Sequence, residues 1–583
     1  MVDLEYRRFS VSARDKRPLL QFLLNALEKC GCGVLRHSGP EEAPFRISFE
    51  APDGERLGII AYAFRANHRL TRNRPQDEHR FQVKYGTKTG ELYELWQDPY
   101  EIYTSSFKVL TIFCNLPIFL IFLEPLQPMF GEILQKFVAK SPATVMVRGL
   151  LERLLNPEAL DRWFEATAQA QYTRDILFST LVGLMLQIVC RTQASVHAAY
   201  RHAQIAASIV SVYAKLRGVE LTTSQGLVRH IAREAQSVIE TMNGGRPAPL
   251  PGYRLKYLDG NCLAASEHRL KPLRTTAAGP LPGKSLVVFD PQLGLAVDVF
   301  PCADGHAQER SLLEAVADTV APAEVWVADR NFCVSGFLHA IDRRAAFFII
   351  RQHGGLTTKP LEPMRRVGTS ETGAVHEQAV QLDSPTGERW SLRRITVTLK
   401  RKTRNGDTAL VIMTNLPIAV ADAMTIAVCY RARWGIETAF QKLEHHLNSE
   451  IETLGYPQAA LFAFCLALVA FNLYAVVMAA LRAAHPTQAI DDTVSEYYLA
   501  GEIATTMTGL TIAVPEAEWA ALAQASPQSF SLWLLALAKQ VDLRKLLKTT
   551  RGPKKPPTPR TRFKGQPHVS TAKLLAEAKR SAT

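Results

Sequence analysis

Val325-Trp326-Val327-Ala328-Asp329 is a short apolar, strand-like run that ends on a carboxylate, and the order of elements around it decides the fold. Upstream, Tyr253 to Leu258 alternates and ends at Asp259. Leu286 to Phe289 and Leu295 to Phe300 then flank the hairpin signal Asp290-Pro291-Gln292. A helical stretch, Gln308 to Val320, separates these strands from the Val325 run. Downstream, Gly336 to Arg343 reads as helix and Ala346 to Ile350 as a fifth strand. The series is strand, strand, strand, helix, strand, helix, strand.

That series is the order of the ribonuclease-H-like fold, an α/β arrangement on a mixed five-stranded sheet. Such a sheet sets its first and fourth strands side by side, so Asp259 and Asp329 should meet although 70 positions separate them. Catalytic-domain segments are expected at 248–351 and 426–485. Between them, 352–425 reads as an inserted β domain, with strands at Ile395 to Lys400 and Ala409 to Met413 around the turn Lys402 to Asp407. Helix resumes near Ile426 and carries Tyr430-Arg431-Ala432-Arg433-Trp434-Gly435-Ile436-Glu437, with Tyr430, Arg433 and Glu437 on one face.

Each acid taken alone has an ordinary explanation. An aspartate after a strand is usually a turn residue or a helix cap, and a helical glutamate is usually solvated. Their joint placement suggests chemistry instead. Phosphodiester transfer needs charge neutralised on the attacking and leaving oxygens, a task suited to two Mg²⁺ or Mn²⁺ ions held by carboxylates. Without metal, three such acids would repel one another and tend to retain a proton.

The spacing of Tyr430, Arg433 and Glu437 resembles the hallmark of DDE transposases of the insertion-sequence-4 type: Tyr, two residues, Arg, three residues, Glu, six residues, Lys. Position 444 departs from it, being glutamate; the nearest basic residue, Lys442, belongs to another helical face. Tyr253 to Asn261 and Ala328 to Phe332 also resemble that family's blocks around its first two acids, and the likeness covers roughly residues 143 to 485. It implies metal-dependent DNA cleavage at terminal inverted repeats and strand transfer into a target, by a dimer in the DNA complex. Asp259, Asp329 and Glu437 would be the catalytic metal ligands. Tyr430, Arg433, Lys442 and Arg330 would contact DNA. A DNA-binding remnant that keeps the fold without transfer is the alternative.

The rest of the 583-residue chain bears on partners and organisation. Its length calls for several compact units, and a formal charge of +13 favours a polyanionic partner. Nine scattered cysteines form no zinc or redox motif, and with no export leader at Met1 to Lys16 the expectation is a cytoplasmic protein. Leu461 to Leu481 has nearly the length of a membrane span. Its central Asn472 and its many alanines favour a buried core helix.

Residues 1–103 read as an α+β extension of a different style, suggesting a fusion, with strands at Phe45 to Phe49 and Gly58 to Phe64; 104–142 reads as an apolar connector. Residues 143–247 read as a helical region and candidate DNA-binding domain, Ser195 to Leu216 forming a small helical unit. A helical region is expected at 486–543. Finally, 544–583 reads as a basic, disordered tail, because Arg544 to Lys564 carries nine basic residues and no acidic ones.

Overall fold

A computed structural model of the chain describes residues 131–549 and 567–581, except 172, 174, 204, 384–386, 388 and 404–405, and the backbone of five strands in the first 130 residues. The chain forms two units, Met1–Gln127 and Pro128–Thr583. The strands of the first are β1 (Gly33–His37), β2 (Phe45–Glu50), β3 (Arg56–Arg65), β4 (His79–Gly86) and β5 (Leu92–Glu94). They pair in sequence order as an antiparallel meander. The connector expected at 104–142 lies outside the described residues as far as 130.

The second unit opens with seven helices: α1 (Glu132–Lys140), α2 (Pro142–Leu154), α3 (Pro157–Thr167), α4 (Phe178–Val189), α5 (Val196–His202), α6 (Ile209–Gly218) and α7 (Leu221–Thr241). Starts are set by local chemistry. Asn156, Ser195 and Ser208 each accept a first-turn backbone N–H through the side-chain oxygen. The two helices read from Ser195 to Leu216 are α5 and α6. Two basic residues of α6 lie over aromatic rings, Lys215 over Phe164 and Arg217 over Tyr456, while Val210 and Tyr213 are exposed.

Strands β6 (Arg254–Cys262), β7 (Gly279–Leu281), β8 (Lys284–Asp290) and β9 (Leu295–Cys302) come next, with β7 outside the large sheet. Helix α8 (Leu313–Ala317), β10 (Glu324–Ala328), α9 (Ser335–Arg343) and β11 (Phe347–Arg351) follow. The core strands stand in the order β9, β8, β6, β10, β11. Strand β10 pairs parallel with both β6 and β11, so the first and fourth strands of the ribonuclease-H-like series are neighbours.

The inserted strands are β12 (Lys359–Pro360), β13 (Arg365–Thr369), β14 (Gly373–Asp383), β15 (Arg389–Leu399) and β16 (Ala409–Thr414). They do not build a sheet of their own. Strand β16 pairs antiparallel with β11 and the series continues the core sheet to ten strands. The reason is edge satisfaction: alone, β11 would leave a row of backbone N–H and C=O groups unpaired, and β16 takes them up.

Period-two alternation sorts the strand residues onto two faces. Leu255, Tyr257, Val325, Val327 and Ile349 join one large core. Leu258, Trp326, Ala328, Phe348 and Ile350 join a second core with Leu313 and Val316 of α8 and Phe337, Leu338 and Ile341 of α9. The large core is closed by α10 (Ala423–Ala432), α11 (Trp434–His446) and α12 (Pro457–Ala484).

Helix α12 is long and apolar enough to cross a membrane by length and composition, yet nearly all of it is buried within the protein. Asn472, fully buried at its centre, accepts the N–H of Ala296 (2.8 Å) and donates to the same residue's carbonyl (2.9 Å). Ala296 lies beside the register irregularity between β8 and β9, where an edge strand has backbone groups to satisfy.

Helices α13 (Ile490–Thr493), α14 (Glu496–Ala513), α15 (Ala520–Ala523) and α16 (Pro527–Ala538) follow. The chain then ends in β17 (His568–Ser570) and α17 (Thr571–Arg580). These last two elements correct the expectation of a disordered tail through to 583. Strand β17 pairs parallel with β7, Thr571 is fully buried, and Lys573 reaches Asp304 at 3.3 Å. The composition of Arg544 to Lys564 masked a short amphipathic helix beyond it. The basic stretch from 550 to 566 lies outside the described residues.

Candidate active site

The register of β6 on β10 brings two of the candidate acids together. Its last pair is Leu258 with Ala328, and the next residue on each strand is Asp259 and Asp329. Both acids share the parity of Leu255, Tyr257, Val325 and Val327, and so belong to the face covered by α10 and α11. Strand β6 does not stop at Asp259, as its sequence suggests: it runs on to Cys262 along β8, where Asp259 opposes Val287. It ends at Leu258 only on the β10 side.

Asp259 Oδ1 accepts the N–H of Gly260 at 2.9 Å. Asp329 caps the turn that follows β10, its Oδ1 accepting the N–H of Asn331 at 2.7 Å. The Glu309 carboxylate packs against Gly260 beside the acid, in space that a Cβ there would share. Glu309 in turn accepts from Asn331 Nδ2 at 2.5 Å, tying the loop after Asp329 to the strand that carries Asp259. Glu309 sits in no recognisable motif; the glycine after the acid is the one signal that hinted at a close neighbour.

The third acid arrives on α11. Asp422 starts α10 by accepting the N–H of Thr425 at 2.7 Å, three residues before the expected start near Ile426. The expected single helix through Glu437 is two helices that abut at Arg433, whose N–H bonds Tyr430 O and whose carbonyl accepts from Ile436. Three-residue bonding tightens this junction, and Gly435 just beyond it is a weak helix former. The i, i+4 relation of Arg433 to Glu437 survives the break.

Arg433 is buried and lies between the acids. Its Nη1 donates to Asp259 Oδ2 at 3.0 Å and its Nη2 to Glu437 Oε1 at 2.8 Å. Tyr430 is buried too, with its phenol pushed up by burial and drawn the other way by Arg433. Burial raises the Asp259 carboxyl to about 6; Arg433 and the Gly260 N–H oppose this, and the charges of Asp329 and Glu437 add to it. For Arg433, burial works against the charged guanidinium, but Asp259, Tyr430 and Glu437 outweigh it and bind its proton more firmly than usual.

Among the described residues, no three His, Cys, Asp or Glu side chains are gathered closely enough to enclose an ion. Two acids of the expected triad, Asp259 and Glu437, are thus bridged by a guanidinium. The physical cause is the repulsion anticipated among uncompensated carboxylates, relieved here by Arg433. The donor chemistry still suits hard divalent cations, since every candidate ligand is a carboxylate. Burial keeps the Asp259 carboxyl raised even with Arg433 in contact.

The other candidate DNA contacts lie apart from this cluster. Lys442 Nζ is bonded to Glu496 of α14 at 2.5 Å. Arg330 reaches toward Asp407 in the β15–β16 turn, 3.9 Å away, where Arg351 also binds at 2.8 Å. Glu444 lines a cavity of about 240 Å³ with Asn261, Cys262, Phe440, Glu450 and His568. Trp434, beside Arg433, is 66% exposed, an unusual position for a large aromatic.

Comparison with known proteins bears on the same part of the chain. Residues 283–473 match the family described as the Transposase DDE domain, a stretch that includes Asp329, Arg433 and Glu437 and begins after Asp259. The chain is also similar to a Sinorhizobium fredii protein named "Putative transposase y4zB", 26% identical over 211 residues, which is 34% of this chain and 56% of that protein. The chain thus spans little more than half the length of this relative.

Proposed function

We propose that the unit Pro128–Thr583 is the catalytic part of a DNA transposase that cuts DNA at the ends of its element and joins them to a target by transesterification. The observation that carries this reading is the β6–β10 register, which sets Asp259 beside Asp329 under the helix bearing Arg433 and Glu437. The transposase-domain match over residues 283–473 supports it.

Asp259, Asp329 and Glu437 would hold two divalent ions, Mg²⁺ or Mn²⁺. Bound there, such ions polarise the scissile phosphate and lower the pKa of a water or 3′-hydroxyl nucleophile. Asp259, fixed by the Gly260 N–H on a sheet strand, supplies the rigid ligand. Asp329 keeps one oxygen on Asn331 and offers the other. Glu437 is partly exposed and so open to a ligand from solvent. Arg433 and Tyr430 set the charge around the acids, and the excess of basic residues over the chain draws in the polyanion. Two ends held by a pair of copies would complete the reaction.

A DNA-binding remnant remains the second reading, favoured by the Arg433 bridge between two of the acids. One assay separates them. Purified protein is incubated with Mg²⁺ and a labelled duplex carrying the DNA that flanks its own gene, and wild type is compared with Asp259→Ala, Asp329→Ala and Glu437→Ala. Cleavage by wild type and its loss in all three variants is the expected result. Equal products from all four proteins, or none from wild type, would reject the transposase reading.

A further inference from the structure

We propose that Arg433 is a built-in counter-ion that holds the metal-free site together, and that a divalent cation binds by exchange, taking over the carboxylates and releasing the guanidinium. The inference rests on the reading of Asp259 and Glu437 as metal ligands.

The geometry is that of a stand-in cation. One guanidinium spans two acids from different elements, Nη1 on the β6 aspartate and Nη2 on the α11 glutamate. Each acid is bound through a separate nitrogen, so neither carboxylate is gripped by the two-pronged pairing that arginine can make. The residue is nearly buried, yet its Nε has no partner, so the metal-free arrangement leaves a donor unsatisfied. Its backbone lies at the junction of two helices, outside the regular four-residue ladder. With Asp329 nearby, the acids outnumber the one cation among them, so the pocket still attracts positive charge while Arg433 is in place.

Exchange has a functional consequence. A guanidinium that leaves the acids becomes available to a phosphate, for which its planar fork is well matched. Metal loading and phosphate binding would then be coupled through one side chain, and Arg433 acts as a positioning residue for the metal-bound state.

The test is Mn²⁺ binding to the metal-stripped full chain, measured by calorimetry without DNA, with melting temperature as a second readout. Removing the competing cation by Arg433→Gln should tighten Mn²⁺ binding on the order of tenfold, within the usual range of coupling between two ligands. It should also lower the metal-free melting temperature and enlarge the rise caused by Mn²⁺. Arg433→Lys keeps the charge but cannot span both acids, and should fall between the two; it also serves if the glutamine variant does not fold. Unchanged or weaker Mn²⁺ binding in a folded Arg433 variant overturns the exchange. Wild-type Mn²⁺ affinity in both Glu437→Gln and Asp259→Asn is a separate result, which overturns the metal-site reading beneath it.

Discussion

Replacing Asp259 by asparagine should stabilise the metal-free protein, and by an amount that depends on pH. The side chain is four-fifths buried, and burial raises its carboxyl from the ordinary 3.8 to about 6 despite the contact with Arg433. Because the folded-state value lies above the unfolded one, the stabilisation from the bound proton is complete below about pH 3.8 and lost as pH rises through about 6. At 1.36 kcal/mol per tenfold change in proton affinity, the ionised acid costs the fold about 3 kcal/mol at pH 8 and about half that at pH 5. Asparagine resembles the protonated acid in shape and retains an oxygen for the Gly260 N–H. Urea unfolding in chelator at both pH values measures the gap. The variant should be more stable by about 3 kcal/mol at pH 8, with the gap narrowing to about half at pH 5. A variant less stable than wild type at pH 8, or a gap that does not change with pH, would refute the electrostatic argument.

Three further outcomes test the scaffold. Asn472→Leu strands the N–H and carbonyl of Ala296 and should cost about 2–4 kcal/mol in urea unfolding, as expected for two buried groups left unpaired; a neutral effect would mean that α12 is not locked to β9 as described. In Gly149→Ala the new methyl would overlap the Trp533 ring, so about 1–3 kcal/mol of overpacking should appear in the same assay, whereas wild-type stability would show a loose α2–α16 contact. Ending the chain at Gln566 removes β17 and its bond from the Gly279 N–H to Pro567 O. Hydrogen exchange at Gly279 should then accelerate, and unchanged protection would contradict the docking of the C-terminal strand.

Much of the sheet was legible because its central strands are short apolar runs punctuated by an acid or a turn. Val325 to Ala328 is buried on both faces, which leaves little choice of residue, and the first acid follows an alternating run in which Leu255 and Tyr257 are buried between the charged Arg254 and Lys256. The meeting of Asp259 with Asp329 then follows from strand order alone. What escaped the sequence depends on partners distant along the chain. Nothing local to β16 says that it will pair with β11, 60 residues earlier, rather than close a separate domain. Strand β17 has three residues, too few for any alternation to show, and is defined by its pairing with β7.

The same limit applies at the site. Arg433 reads from its spacing as a residue for phosphate, but its present partners are acids, one of them 174 positions away. Lys442 likewise looks available on the helix until Glu496 of α14 is packed beside it. The break at Arg433 has only the weak signal of Gly435, against strong helix formers on either side.

The most direct measurement is a crystal structure of the chain soaked in Mn²⁺, with the ions located by anomalous scattering. The account predicts a peak bound by the carboxylates of Asp259 and Glu437, with Asp329 completing the group and the Arg433 guanidinium no longer bridging the first two. Arg433 still spanning Asp259 and Glu437 with no ion beside them would contradict it.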